Sequence, residues 1–365
     1  MSSEYLSKRI IYYDFIRTFA IFGVLACHCF VGLAENLDIF NTPTWFYSLF
    51  LYLLREVCVP LFVCLSGALL ITKKDSLVDF IKKRFNRVIV PYIFWSLILI
   101  PSLAIFQNIQ DPTNLIYETF AIPPFGNATF LWFVQMILVV YVVIFVLNKL
   151  IEKNDIFLKF SVALSIIYIV LHNFNIIPSY PMPYKYIFYS AFAVFGYYLA
   201  KYDFSSTGLA GHLKLGKGRI SLAFLVISII LYLCELHYVV SMSIGSNSLI
   251  ALSQFSILNV ALVSSVFLFF RFFAESYGKS NEFCIRIIKG NVGKAVISFS
   301  LCSYGIYLCH IIVLNFFTHV VELQSYFSPA LGITLLLLLT LALSWIIILF
   351  MSRMPLLRWF SGIGR

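Results

Sequence analysis

Ten stretches of the chain are apolar over a length that suits the hydrocarbon core of a bilayer. They run near 10–33, 46–72, 88–108, 128–148, 157–172, 186–200, 219–238, 249–271, 295–317 and 329–351. An α-helix rises 1.5 Å per residue and needs about 20 apolar residues to cross about 30 Å of lipid, so each run predicts a transmembrane helix; the fifth and sixth are short. The connections between runs are brief, and no linker, low-complexity tract or shift in composition marks a second domain. The expected fold class is therefore an all-α integral membrane protein of about ten transmembrane helices, with residues 1–365 forming one membrane domain.

Composition agrees: 61% of the residues are hydrophobic and 18% aromatic, far from the usage of a soluble domain. Charge then orients the helices, because Lys and Arg accumulate on the cytoplasmic side of multispanning proteins. With the N-terminus inside, 23 of the 26 basic residues fall in inner segments, Lys185 lies alone outside, and Arg17 and Arg55 sit within spans. Both termini and the basic loop at 73–87 are expected in the cytoplasm. The net charge of +10 then reflects topology and anionic lipid headgroups, and nucleic acid is not an expected partner. The first run is too long and too charged for a cleaved signal peptide, so it is expected to stay attached.

Seven of the eight cysteines lie in or beside predicted spans and only Cys284 sits in an inner loop, which gives no disulfide framework. Cys27, His28 and Cys29 resemble a metal cluster on paper, but successive helical residues point about 100° apart and cannot converge on one ion; no metal is expected. The segment GHLKLGKG at 211–218 lacks the strand context and the terminal Ser or Thr of a phosphate-binding loop, and reads as a solvated basic loop.

Chemistry concentrates in the first span, YYDFIRTFAIFGVLACHCF at 12–30, which carries Asp14, Arg17 and His28. Arg17 and His28 are eleven residues apart, so they share one stripe of the helix about 16 Å apart along its axis, and Asp14 lies one turn below Arg17. Ionisable groups in a membrane are costly and usually face a bundle interior or a watery cavity. One reading is a lined pore. The plainer one is an Asp14–Arg17 ion pair near the inner interface, with His28 bonded to another helix. In the second span Arg55 and Glu56 stand near the outer end, followed by Pro60 and the small pair Ser66 and Gly67, which suits close helix packing better than catalysis. The inner segment KKRFNRVIVPYIFW at 82–95 puts Lys83, Arg84 and Arg87 at the mouth of the third span, either snorkelling to lipid phosphate or clamping an anionic cytosolic ligand.

Five blocks together resemble the acyltransferase-3 family of membrane O-acyltransferases. They are Arg17 with His28, VPLFVCLSG at 59–67, the KKRFNRVIVPYIFW segment, FLWFVQMILVVYVV at 130–143, and SYGIYLCHIIVL at 303–314. Their order is the family's, and they extend from the first span to the ninth. The resemblance implies an enzyme that takes an acyl group, usually acetyl, from cytosolic acyl-CoA and delivers it to a hydroxyl of a surface glycan or lipid-linked sugar. Such an enzyme is a multi-pass protein of a bacterial cytoplasmic membrane. His28 matches the family's essential histidine and Arg17 its arginine. Two positions depart from the pattern: Glu56 stands where a basic residue is common, with Arg55 one place earlier, and Phe130 replaces a histidine of many sugar-modifying members.

Side-chain chemistry fits that implication. A hydroxyl that attacks a thioester must lose its proton, and a neutral imidazole with an ordinary pKa near 6.5 is suited to take it, which makes His28 the candidate base. An acyl-His28 intermediate is the alternative route. Arg17 and Asp14 join His28 as the expected catalytic set, Arg17 also placed to hold the pantetheine arm, with Lys83, Arg84 and Arg87 to meet the nucleotide end of acetyl-CoA. Arg55, Glu56, Trp132 and His310 are candidate contacts for the acceptor, although a structural hydrogen bond explains His310 equally well. Two other classes stay open: a secondary transporter using the same intramembrane Asp, Arg and His, and a glycan-export component without chemistry.

Overall fold

A computed structural model describes residues 9–106, 113, 116, 131–177, 184–202, 216–246, 248–250, 252–277 and 290–363. Phe130, Cys284 and residues 211–215 of the basic loop lie outside these. The described residues form helices and no strand. In chain order the α-helices are α1 (Ile11–Ala34), α2 (Pro43–Tyr52), α3 (Leu54–Leu70), α4 (Leu77–Arg84), α5 (Val90–Phe106), α6 (Trp132–Ile151), α7 (Ile156–Asn173), α8 (Ser190–Lys201), α9 (Lys217–Ser246), α10 (Ile257–Tyr277), α11 (Asn291–Asn315) and α12 (Pro329–Arg353). Helices α2 and α3 form one bent run, and α4 joins α5 through a π-helical turn at Phe85–Ile89. Nine runs among the described residues are long and apolar enough to cross a membrane.

The sixth expected span, 186–200, is not among those nine. A 3₁₀-helix of 6 residues, Tyr184–Tyr189, runs directly into the 12 residues of α8. At about 2.0 Å per residue for the first and about 1.5 Å for the second, 184–201 still covers about 30 Å. Its apolar residues Phe192, Ala193 and Val194 are buried in protein. This short helix owes its place to a close crossing with α3. A Cβ on Gly67 would collide with the Ala193 carbonyl, and one on Gly196 with the Cys64 carbonyl, so each glycine receives the other helix's backbone. Lipid tails are as apolar as leucine and give helices no hydrophobic reason to associate, so such backbone contact supplies the attraction. Gly67 does the packing; Ser66 beside it faces an internal cavity.

The faces are sorted in the sense a membrane demands. On α9, Leu222, Val226, Ile229, Ile230 and Leu233 are exposed, whereas Ser221, Ser228 and Ser243 are buried. Ser228 and Ser265 join α9 to α10 through a hydrogen bond of 2.9 Å, and Tyr232 on α9 donates from its hydroxyl to the Phe50 carbonyl on α2.

Helix breaks occur where another span can satisfy them. Pro60 has no N–H for the carbonyl of Glu56, four residues earlier, and buried Asn259 of α10 donates to that carbonyl at 2.9 Å. Pro91 would crowd the Arg87 carbonyl in a regular helix; the turn before it is widened instead, with the Val90 N–H bonded to Phe85 five residues back. At the end of α3, Thr72 turns at φ +70°, an unfavourable region for a β-branched residue. Asn148 of α6 holds the turn, accepting from the Thr72 N–H at 2.9 Å and donating to the carbonyls of Leu70 at 2.8 Å and Lys73 at 3.3 Å.

Candidate active site

A cavity of about 1020 Å³ lies within the bundle. At one end its wall is basic: Lys73, Lys83, Arg84 and Arg87 from the α3–α5 region, with Arg17 one step further in. His28, Arg55 and Glu56 line its middle, and Trp132, Lys185 and Gln254 its far end. Eight cationic side chains and two carboxylates line this space, so its lining carries a net positive charge concentrated at the basic mouth.

The period of α1 accounts for the two key positions, since Arg17 and His28 both face the cavity from the stripe they share. Asp14 does not. It is 1% exposed and held by Arg9, whose Nε and Nη2 each donate to it at 2.6 Å, and by the Ser300 hydroxyl at 2.5 Å. The Arg17 guanidinium lies 3.6 Å from the same carboxylate, so Asp14 sets the angle at which Arg17 enters the cavity and ties α1 to α11. Its place in the site is behind Arg17.

His310 on α11 likewise stands behind the cavity wall. It is fully buried, and its ring centroid is 5.0 Å from that of His28. Its Nδ1 lies 2.6 Å from the Tyr307 carbonyl, and a carbonyl only accepts, so Nδ1 carries the proton and Nε2 is left as a bare acceptor. That Nε2 has no hydrogen-bond partner in the structure, which leaves it available to an N–H of a rotated His28.

Arg55 and Glu56 act as a unit. Arg55 donates to Glu56 at 2.7 Å and lies 4.1 Å from the centre of the Tyr52 ring, while Asn259 fixes the Glu56 backbone. At the far end the ring of Trp132 lies 6.1 Å from that of Tyr189, whose hydroxyl donates to Gln254 at 2.5 Å.

The mouth is ordered by one acid. Asp75 accepts from Lys83 at 2.7 Å and lies 3.9 Å from Arg84. The Lys83 hydrogen bond, with the charges of both cations, holds the Asp75 carboxyl below its usual range. Arg84 also stacks 4.3 Å above the Phe80 ring. Arg87 has no acidic partner within ion-pair distance among the described residues, and it lines the cavity.

The structure thus brings together Arg17, His28, Arg55, Glu56, Lys83, Arg84, Arg87 and Trp132 around one space, and sets Asp14 and His310 in its supporting wall. Sequence reasoning missed Gln254, whose polarity in an apolar run was the available signal, and the C-terminal residues Arg358 and Trp359, which follow the last span with no pattern to mark them.

The profile of the acyltransferase-3 family, described as an acyltransferase domain, matches residues 10–349. No curated protein and no solved structure matches the chain. The match takes in every lining residue named here except the two C-terminal ones, and the chain is a multi-pass membrane acyltransferase that belongs to the acyltransferase-3 family.

Proposed function

We propose that this protein is an O-acyltransferase of a bacterial cytoplasmic membrane, which moves an acetyl group from cytosolic acetyl-CoA to a hydroxyl of an extracytoplasmic glycan or lipid-linked sugar. The observation that supports it is one cavity with a cationic mouth, a histidine midway and a polar, aromatic far end. The mouth suits the phosphates of CoA, with Arg84 and Arg87 as clamps and Lys83 beside them. Arg17 guides the pantetheine arm inward, and the rise from Arg17 to His28 is about 16 Å. Trp132, Arg55 and Glu56 suit a sugar, the ring offering a flat apolar face and the pair offering donors and acceptors.

The acceptor oxygen attacks the thioester carbonyl carbon as His28 takes its proton; the carbon–sulfur bond breaks, and the thiolate receives a proton to leave as CoA. In the two-step variant His28 itself attacks, releases CoA and passes the acyl group to the hydroxyl. Either way the acyl group crosses while the charged nucleotide stays at the mouth. In this reading both termini and the 73–87 loop lie in the cytoplasm, an orientation that the distribution of Lys and Arg supports.

Sealed vesicles of known orientation test this reading. Labelled acetyl-CoA added outside should support transfer in inside-out vesicles, with labelled glycan in the lumen. Equal use of external donor by right-side-out vesicles contradicts the sidedness. A transporter or export component would move substrate without consuming thioester.

A further inference from the structure

After α12 the chain folds back against the basic mouth. The Trp95 indole donates to the Phe360 carbonyl at 3.0 Å, and the rings of Phe94 and Phe360 stack 4.3 Å apart. Ser361 is fully buried; its hydroxyl donates to the Arg358 carbonyl at 2.8 Å and accepts from the Ile363 N–H at 3.3 Å. Gly305 of α11 leaves room for the Ser361 carbonyl, and Gly362 turns at φ +70° beside the Tyr304 ring. These contacts fasten 354–363 to two spans. They present Arg358 and Trp359 to the cavity on the same mouth as Arg84 and Arg87. Arg358 has no acidic partner within ion-pair distance among the described residues, and Trp359 is 46% exposed, whereas Ser361 is fully buried. The segment lies beyond residue 349, where the family match ends, so the family assigns it no role.

We propose that the C-terminal segment 354–363 is the outer wall of a nucleotide subsite, in which Trp359 stacks on the adenine of the donor and Arg358 binds one of its phosphates. An aromatic plane beside a guanidinium is what a purine carrying phosphates needs: the base has a π-face of its own, and the planar fork pairs two oxygens at once. A lipid headgroup offers the same phosphate but no purine, which is why the two residues together favour a nucleotide. This inference rests on the acyl-CoA reading above.

Full-length protein in nanodiscs, titrated calorimetrically with CoA, tests it. Arg358→Ala and Trp359→Leu should each weaken CoA binding about five- to tenfold, whereas Trp359→Phe, which keeps a ring, should stay within about twofold. CoA should also quench indole fluorescence in the wild type and less in Trp359→Phe. Nanodiscs with and without anionic lipid separate the phosphate sources: for a nucleotide subsite the Arg358→Ala loss persists in purely zwitterionic discs, and a loss confined to anionic discs overturns the proposal. Thermal unfolding of each variant checks folding, and should Trp359→Leu fail to fold, Arg358→Ala, altered at an exposed side chain, carries the test. Wild-type binding with unchanged variants overturns this subsite alone; a wild type that binds no CoA overturns the donor reading as well.

Discussion

Asp14 separates a scaffold role from a chemical one, and its surroundings allow the cost of removing it to be worked out. Asp14→Ala would leave the Ser300 hydroxyl without an acceptor and Arg9 and Arg17 without their carboxylate. Breaking a buried ion pair by removing one partner costs about 3–5 kcal/mol. The Arg9 and Arg17 side chains are 15% and 22% exposed and recover some hydration, so the expected loss is about 2–3 kcal/mol. Asp14→Asn keeps the shape and one oxygen for Ser300 and Arg9 while losing the charge, and should cost about 1–2 kcal/mol. Equilibrium unfolding of purified protein in mixed micelles reads these numbers, with acyl transfer normalised to folded protein measured alongside. The expected pattern is a clear stability loss and an activity loss of about tenfold or less, acting through the angle of Arg17. Wild-type stability combined with a loss beyond about 10² would refute the argument and put the carboxylate into the chemistry.

Other substitutions probe the remaining links. His28→Ala should abolish acyl transfer, with a loss of about 10² to 10⁴ for a missing general base and near-normal insertion; full activity would remove His28 from the mechanism. Arg84→Ala with Arg87→Ala should raise KM for acyl-CoA with a smaller change in kcat, and unchanged donor kinetics would return both residues to lipid anchoring. Gly196→Val must push α8 away from the Cys64 carbonyl, so at least about 2 kcal/mol of stability should go, and a stable variant would show that the crossing is loose. Asp75 has a lowered pKa in the folded state, so its pairing with Lys83 and Arg84 is in place above the unfolded value near 4 and is lost as pH falls through the lower folded value. Hydrogen exchange in 72–84, corrected for its intrinsic pH dependence, should therefore stay slow from pH 7 to about 4 in the wild type, and already be fast at pH 7 in Asp75→Asn.

Hydropathy found the spans because a bilayer imposes one length and one polarity on every crossing segment, and the helical period alone put Arg17 and His28 on the wall they share. What stayed hidden depends on partners far along the chain. The gap that Pro60 opens inside α3 and the widened turn before Pro91 follow from prolines visible in the sequence, but the bond that fills the first, from Asn259, 203 residues from Glu56, does not. Asn148 reads as a polar residue at a helix end, and only the fold shows that it holds Thr72 across 76 residues. His310 lies in a recognisable block, yet its distance from His28 is set by how α11 packs on α1. The sixth span looked short because hydropathy counts residues at an α-helical rise, whereas a third of 184–201 climbs as a 3₁₀-helix.

The breaks and the cavity wall coincide, and the coincidence has a cause. In lipid a backbone carbonyl without a donor costs several kcal/mol, so a helix can be interrupted only where protein or a water-filled space takes over the lost bond. Glu56, whose carbonyl Pro60 leaves free, lines the cavity; so does Arg87, whose carbonyl Pro91 would crowd; so does Lys73, next to the Thr72 turn. Each charged side chain thus stands where the helix departs from regularity, and for Glu56 and Lys73 a side chain from another span holds the departure in place. A uniform helix would present its charges at fixed 100° steps, and most would face lipid. Local breaks allow single residues to be turned inward, and the buried asparagines on α6 and α10 fix that turn. Asn259 and Asn148 therefore belong to the site as much as the residues that line it: loss of either should first loosen Glu56 or Lys73 and only then the bundle.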